Sequence, residues 1–223
     1  MGDPHVWFRP AVTPPIRDAA TTVLLRDGPA GPSVLMGQRG ASAAFMPSKY
    51  VFPGGAVDAG DGATRFARDL APETRAALAR RSDAAPEALA AAALRELAEE
   101  TGQIVARPGD GPAWPGFRGL APDARPLRFV FRAITPPQRP RRFDARFFLV
   151  DATALVTDPD DFSAAEDELS HLHWVPLAGA RALDMPFITE VVLAEIAAII
   201  GGTDAPGIPF FDNSGETSVF HRL

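Results

Sequence analysis

The chain has 223 residues, of which 46% are hydrophobic and 22% charged, with a formal net charge of −6 and no cysteine. That length supports one domain with a full core, taken as residues 1–223, and the composition is globular rather than disordered. The negative charge argues against general nucleic-acid binding, and the lack of cysteine excludes a disulfide framework, a thiolate nucleophile and a cysteine zinc site.

Residues 1–18 are proline-rich and aperiodic, an irregular lead-in without a basic start and apolar run. No stretch approaches the roughly 18 apolar residues of a membrane span, so a cytoplasmic protein with no membrane partner is expected. Residues 19–26 and 33–39 read as strands joined by a Gly- and Pro-rich turn. Residues 50–52 form a short strand that runs into Pro53-Gly54-Gly55, turn chemistry whose glycines allow close backbone approach to a ligand. A helix is predicted over 72–81, with Pro72 at its start, and a second over 86–101, closed by Gly102. Residues 109–126 read as loop, 127–134 and 146–150 as strands, and Pro136 to Arg142 as a stiff basic loop between them. Residues 171–175 are a further strand and 188–200 an apolar helix. The segment from Ile208 to Gly215 is either a final hairpin or a dimer contact, which leaves a homodimer open.

The helix over 86–101 carries the chemistry. At about 100° per residue, Glu96, Glu99 and Glu100 share one side while Leu94, Leu97, Ala98 and Thr101 share the other. Like charges so spaced weaken an isolated helix, and a divalent cation bound by their oxygens reverses that. Alone, the pattern favours a solvated acidic surface. The glycine loop upstream favours a cation site, because it can bring carbonyl oxygens towards the carboxylates.

These two segments resemble the Nudix hydrolase box: Gly, five residues, Glu, seven residues, then Arg-Glu-apolar-any-Glu-Glu-any-Gly-apolar. The second half stands as Arg95 to Gly102, with Gln103 replacing the last apolar residue. The first half runs from Gly55 to Asp61, with Asp61 in place of the Glu. Between Asp61 and Arg95 lie 33 residues rather than seven, so the box carries an insertion, taken as a helical flap over 62–85 near the substrate mouth. Glu87 offers a second parse at the required interval before Arg95. Asp61 is preferred because it keeps its spacing to the glycines. The resemblance covers about residues 19 to 200. It implies an α/β (α+β) fold, a Nudix-type α/β/α sandwich with a mixed sheet.

The resemblance also implies roles. Gly55, Glu96, Glu99, Glu100 and Asp61 are the candidate ligands of Mg²⁺ or Mn²⁺. Arg95 orients carboxylates, and Glu99 doubles as a catalytic group. Among Glu166, Asp167 and Glu168, Glu168 is the candidate general base. The interrupted box and the run Arg142-Phe143-Asp144-Ala145-Arg146-Phe147-Phe148 are similar to a branch that includes a peroxisomal coenzyme A diphosphatase. Arg39 keeps its expected distance to Phe52, although Ala43, Met46 and Ser48 depart from that signature. Arg39, Phe52, Gly54, Arg141 and Arg142 are the candidate substrate contacts. The implied activity is cleavage of a diphosphate linkage in a nucleotide-derived small molecule, first coenzyme A or acyl-coenzyme A. The alternatives are ADP-ribose- or NADH-type substrates, or a binding or regulatory module without hydrolysis. His171 and His173 share a strand face, but with no cysteine or third histidine nearby they do not suggest zinc. Trp114 is either a stacking platform for an adenine or a loop tryptophan packed on the sheet.

Overall fold

The computed structural model describes residues 14–41, 43 and 46–223; most of the predicted lead-in lies outside them. Four strands come first: β1 (Ile16–Gly28), β2 (Gly31–Arg39), β3 (Tyr50–Val51) and β4 (Gly54–Ala56). Helices α1 (Pro72–Leu78) and α2 (Pro86–Thr101) follow, then β5 (Ala106–Pro108) and β6 (Leu120–Pro122). The chain continues through β7 (Arg128–Ile134), β8 (Arg142–Asp151), β9 (Leu169–Pro176), α3 (Phe187–Ile200), β10 (Pro209–Asp212) and β11 (Val219–Arg222).

Nine strands form one mixed sheet in the order β11-β10-β7-β8-β1-β2-β3, with β4 paired to β1 and β9 to β2. β1 lies parallel to β8 and antiparallel to both β2 and β4. Alternation along β1 sends Ala20 and Leu24 to the face under α2, and Val23 to the face under α3. The two faces bury separate cores, so the predicted mixed α/β architecture is present. A bulge in β7 between Phe129 and Phe131 puts these two rings on opposite faces, against Phe148 and Phe147 respectively. The segment after Ile208 is a hairpin, β10 with β11. No helix among the described residues is long and apolar enough to cross a membrane.

Three expectations change. The insertion is not a detached flap. It holds a 3-10 turn at Asp61–Ala63 and the short α1, and Leu70 and Leu78 are buried in the core beneath α2. The loop over 109–126 contains β6, which pairs with β5 in a separate ribbon; both are three residues long and end in proline, too short to show a period. β8 begins at Arg142 rather than Arg146; its charged positions Arg142, Asp144 and Arg146 are buried, and Asp144 pairs with Arg146 and with Arg132 of β7.

That pairing ties the insertion down. Arg132 donates to both Asp144 oxygens at 2.8 and 2.6 Å, and Arg146 Nη1 donates to Asp18 at 2.6 Å and to the Asp144 carbonyl at 2.7 Å. Beyond the sheet, Arg132 reaches the Arg81 carbonyl at 2.8 Å and Arg146 Nη2 the Ser82 hydroxyl at 2.7 Å. The turn that returns the chain to α2 is therefore held by guanidinium groups rising from β7 and β8.

Candidate active site

α2 can lie close to the sheet because Ala90, Ala91, Ala92 and Ala93 are fully buried, so no long side chain separates helix from strand. Thr22 of β1 donates to the Ala93 carbonyl at 3.0 Å. Pro86 starts the helix without side-chain capping, and Gly102 ends it at φ 72°, where glycine carries no Cβ penalty. The last two turns then sit over β4. Gly54 N–H donates to Glu100 at 2.7 Å, and a Cβ on Gly55 would overlap the Glu96 carboxylate. Gly55→Ala is accordingly expected to push Glu96 aside. It should lower kcat by roughly 10- to 100-fold, the scale of a misplaced ligand, with a melting temperature near wild type. Unchanged turnover would show that Glu96 does not need its present seat.

Arg95 organises the cluster. It is 8% exposed and forks onto Asp61, Nε and Nη2 each at 3.0 Å, while Nη1 reaches Glu96 at 2.8 Å and Glu99 at 3.0 Å. Nη2 also donates to the Ala56 carbonyl at 3.1 Å. Burial works against its charge, but Asp61 and Glu96 outweigh burial and hold Arg95 above the ordinary range. Both Asp61 oxygens are engaged by this fork, and Oδ2 also accepts from Asp58 N–H at 2.8 Å. Asp61 is therefore a clamp on Arg95 rather than an available ligand. Glu87 pairs with Arg75 of α1 instead. Glu87 lies eight positions before Arg95, about 12 Å along a helix axis, so it does not compete for the early acidic position.

The carboxylates are poorly compensated. Burial pushes Glu96 up against the pull of Arg95, and Glu99 likewise, with Glu166 and Asp58 adding to the rise. Burial raises Glu100 well above the usual carboxylate range; the Gly54 N–H opposes this, while Glu96 and Glu168 reinforce it. A carboxyl whose folded pKa is raised stabilises the fold below its unfolded pKa and loses that contribution as pH climbs through the folded value. Metal-free protein should therefore lose stability from the ordinary carboxylate range upward, with a shallower loss in Glu100→Gln. Asp123, lowered by its Arg68 and Arg107 bonds against the opposing effect of burial, has the opposite sign, so the difference between the two melting curves is the quantity to measure. Parallel curves would remove Glu100 as the source.

In this conformation, no three carboxylate or histidine side chains among the described residues converge on one point. Glu96 and Glu99 turn to Arg95, and Glu100 turns to Gly54. The donor set nevertheless suits a hard cation: clustered carboxylates under charge stress, beside the backbone of Gly55. Glu96 and Glu99 each give Arg95 one oxygen, Oε1 and Oε2 respectively, which leaves the other oxygen of each for a cation.

Other predicted site residues divide. Arg39 meets Glu168 at 2.8 Å, which brings both beside Glu100. Glu166 N–H donates to the Glu99 carbonyl at 2.8 Å, holding the acidic loop against the end of α2. Phe52, by contrast, is buried in the core on the α3 side and is not free to touch a substrate, whereas Gly54 is half-buried, with its N–H given to Glu100 and no room for a Cβ against Ala20 and Thr21 of β1. Arg142 is also redirected: it is buried and donates to the carbonyls of Thr135 and Asn213 at 3.0 and 2.8 Å. Arg141 is exposed. The sequence reading missed Asp58, whose carboxylate lies 3.8 Å from Arg95.

The architecture is a mixed sheet between helical layers, with a carboxylate helix laid over a glycine turn. No protein-family model matches the chain. Its structure is similar to the crystal structure of a NUDIX hydrolase from Alicyclobacillus acidocaldarius, with 32% identity over 87% of this chain and 99% of that one and a TM-score of 0.64. The NUDIX domain of Shewanella oneidensis NrtR, solved with ADP ribose, shares the fold at 14% identity, with 86% and 94% of the two chains covered and a TM-score of 0.50. The chain belongs to the Nudix hydrolase family.

Proposed function

We propose that the protein cleaves a diphosphate linkage in a nucleoside diphosphate derivative, with coenzyme A or acyl-coenzyme A as the first substrates to test. The observation that carries this reading is the set Glu96, Glu99 and Glu100, whose charge exceeds what Arg95 neutralises. A divalent cation such as Mg²⁺ or Mn²⁺, held by these three and the Gly55 carbonyl, would neutralise diphosphate oxygens and acidify a water. Arg95 presents Glu96 and Glu99 from a fixed seat. Glu168, held through Oε1 by Arg39, keeps its second oxygen for a proton from the attacking water. The coenzyme A choice rests on the resemblance of the interrupted box and of the run from Arg142 to Phe148. In the fold Arg146 donates to Ser82 of the insertion, and Asp144 holds Arg132, which reaches the Arg81 carbonyl.

The test is product release from coenzyme A, acyl-coenzyme A, NADH, ADP-ribose and nucleoside triphosphates, each with Mg²⁺ and with Mn²⁺. Cleavage of coenzyme A or its thioesters in preference to the rest is expected. Preference for another member replaces the substrate, and cleavage of none overturns the reading.

A further inference from the structure

A cavity of about 400 Å³ opens beside Arg95, within the rough range of 300–1,000 Å³ typical of small-ligand sites. Its floor is the Asp61–Arg95 pair. One wall is the start of the insertion, from Ala63 to Arg65, with Gly60 just before it, and the other is the loop carrying Asp110 and Trp114. Arg95 belongs to both the cavity and the carboxylate cluster, so one ligand can occupy the first and reach the second.

The lining has recognition chemistry left over. Trp114 is half-buried, packs against the core on the α2 side and stands edge-on to Phe117, with centroids 5.2 Å apart; its indole N–H has no hydrogen-bond partner among the described residues. Arg65 and Asp110 are exposed, and neither forms an ion pair among the described residues. The loop is held in advance: Gly109 N–H donates to Gly119 at 3.1 Å, and Phe117 N–H to Trp114 at 3.2 Å. A Cβ on Gly111 would collide with the Leu120 carbonyl, so the loop's approach to β6 depends on glycine there. A preformed cavity with an indole wall suits a flat ring. A carboxylate at its mouth accepts from an amino group, and a free guanidinium suits a phosphate.

We infer that this cavity is the subsite for an amino-bearing purine of the substrate, with Trp114 as the ring wall, Asp110 as acceptor of the exocyclic amino group and Arg65 as a phosphate contact. The inference rests on the diphosphatase reading only for which molecule carries the base. The insertion thus supplies one wall of the specificity pocket.

Metal-free titration of the full chain with AMP and IMP, followed by calorimetry, tests it without turnover. AMP should bind about ten-fold tighter than IMP, whose exocyclic carbonyl oxygen faces Asp110 in place of the amino group. Trp114→Ala should weaken AMP by about ten-fold or more. Asp110→Asn, at an exposed position that cannot unfold the loop, should erase the preference over IMP. On any substrate cleaved, both variants should raise KM with kcat retained. Equal AMP and IMP binding in the wild type, or wild-type AMP affinity in both folded variants, overturns the subsite. Loss of AMP binding in Trp114→Ala, in a protein that cleaves no diphosphate tested, would sink the hydrolase reading and keep the subsite. Cleavage with an unchanged KM in both variants does the reverse.

Discussion

Glu99→Gln is expected to reduce metal-dependent hydrolysis by about 1,000-fold in kcat while leaving the fold intact. A cation at a diphosphate contributes several kcal/mol of charge stabilisation, and about 4 kcal/mol corresponds to three powers of ten. The amide keeps the shape of the side chain and an oxygen for Arg95 Nη1, which now bonds Glu99 at 3.0 Å. It removes the charge a hard cation needs. Circular dichroism and a melting temperature within about 2 °C of wild type should accompany the loss. Full activity in that variant would remove Glu99 from the ligand set, and with it the cation reading of α2.

Asp144→Ala should have the largest effect on stability. Asp144 is 7% exposed and is shared by Arg132 and Arg146, which are 5% and 1% exposed. Its removal leaves two buried guanidinium groups with Asp18 and a few carbonyls as partners. Breaking one side of a buried ion pair costs about 3–5 kcal/mol, or roughly 6–20 °C in melting temperature for a chain of this size. Asp144→Asn, which keeps an acceptor, should lose less. A melting temperature equal to wild type in Asp144→Ala would mean that the buried charges contribute nothing to holding the turn at Arg81 and Ser82.

Much of this site was legible because its signals are local. Helix α2 spans the predicted residues, and Gly102 closes it, since a proline start, a 3.6-residue period and a glycine stop all lie within one segment. That Glu96, Glu99 and Glu100 share one side of the helix follows from that period. What the sequence hid are pairings across the fold. Asp61 looked like a ligand because its spacing to Gly55 was right, yet spacing says nothing about a guanidinium 34 positions away taking both its oxygens. Phe52 and Arg142 belonged to suggestive motifs, but burial decided them. Arg142, Asp144 and Arg146 alternate like a solvated edge, and only partners on β7 and at the return to α2 turn that pattern into an interior strand.

The 33-residue interruption has a chain-entropy consequence. Closing the Arg95–Asp61 contact across 33 flexible residues rather than seven raises the loop-closure cost by about 1.4 kcal/mol. An unstructured insertion would charge that to the catalytic geometry itself. Here the inserted segment carries its own apolar anchors, Leu70 and Leu78, both buried beneath α2, and burying side chains of that kind contributes about 1.5–3 kcal/mol each. The detour between the two halves of the motif is thus self-supporting, and its length falls on the core rather than on the position of Arg95.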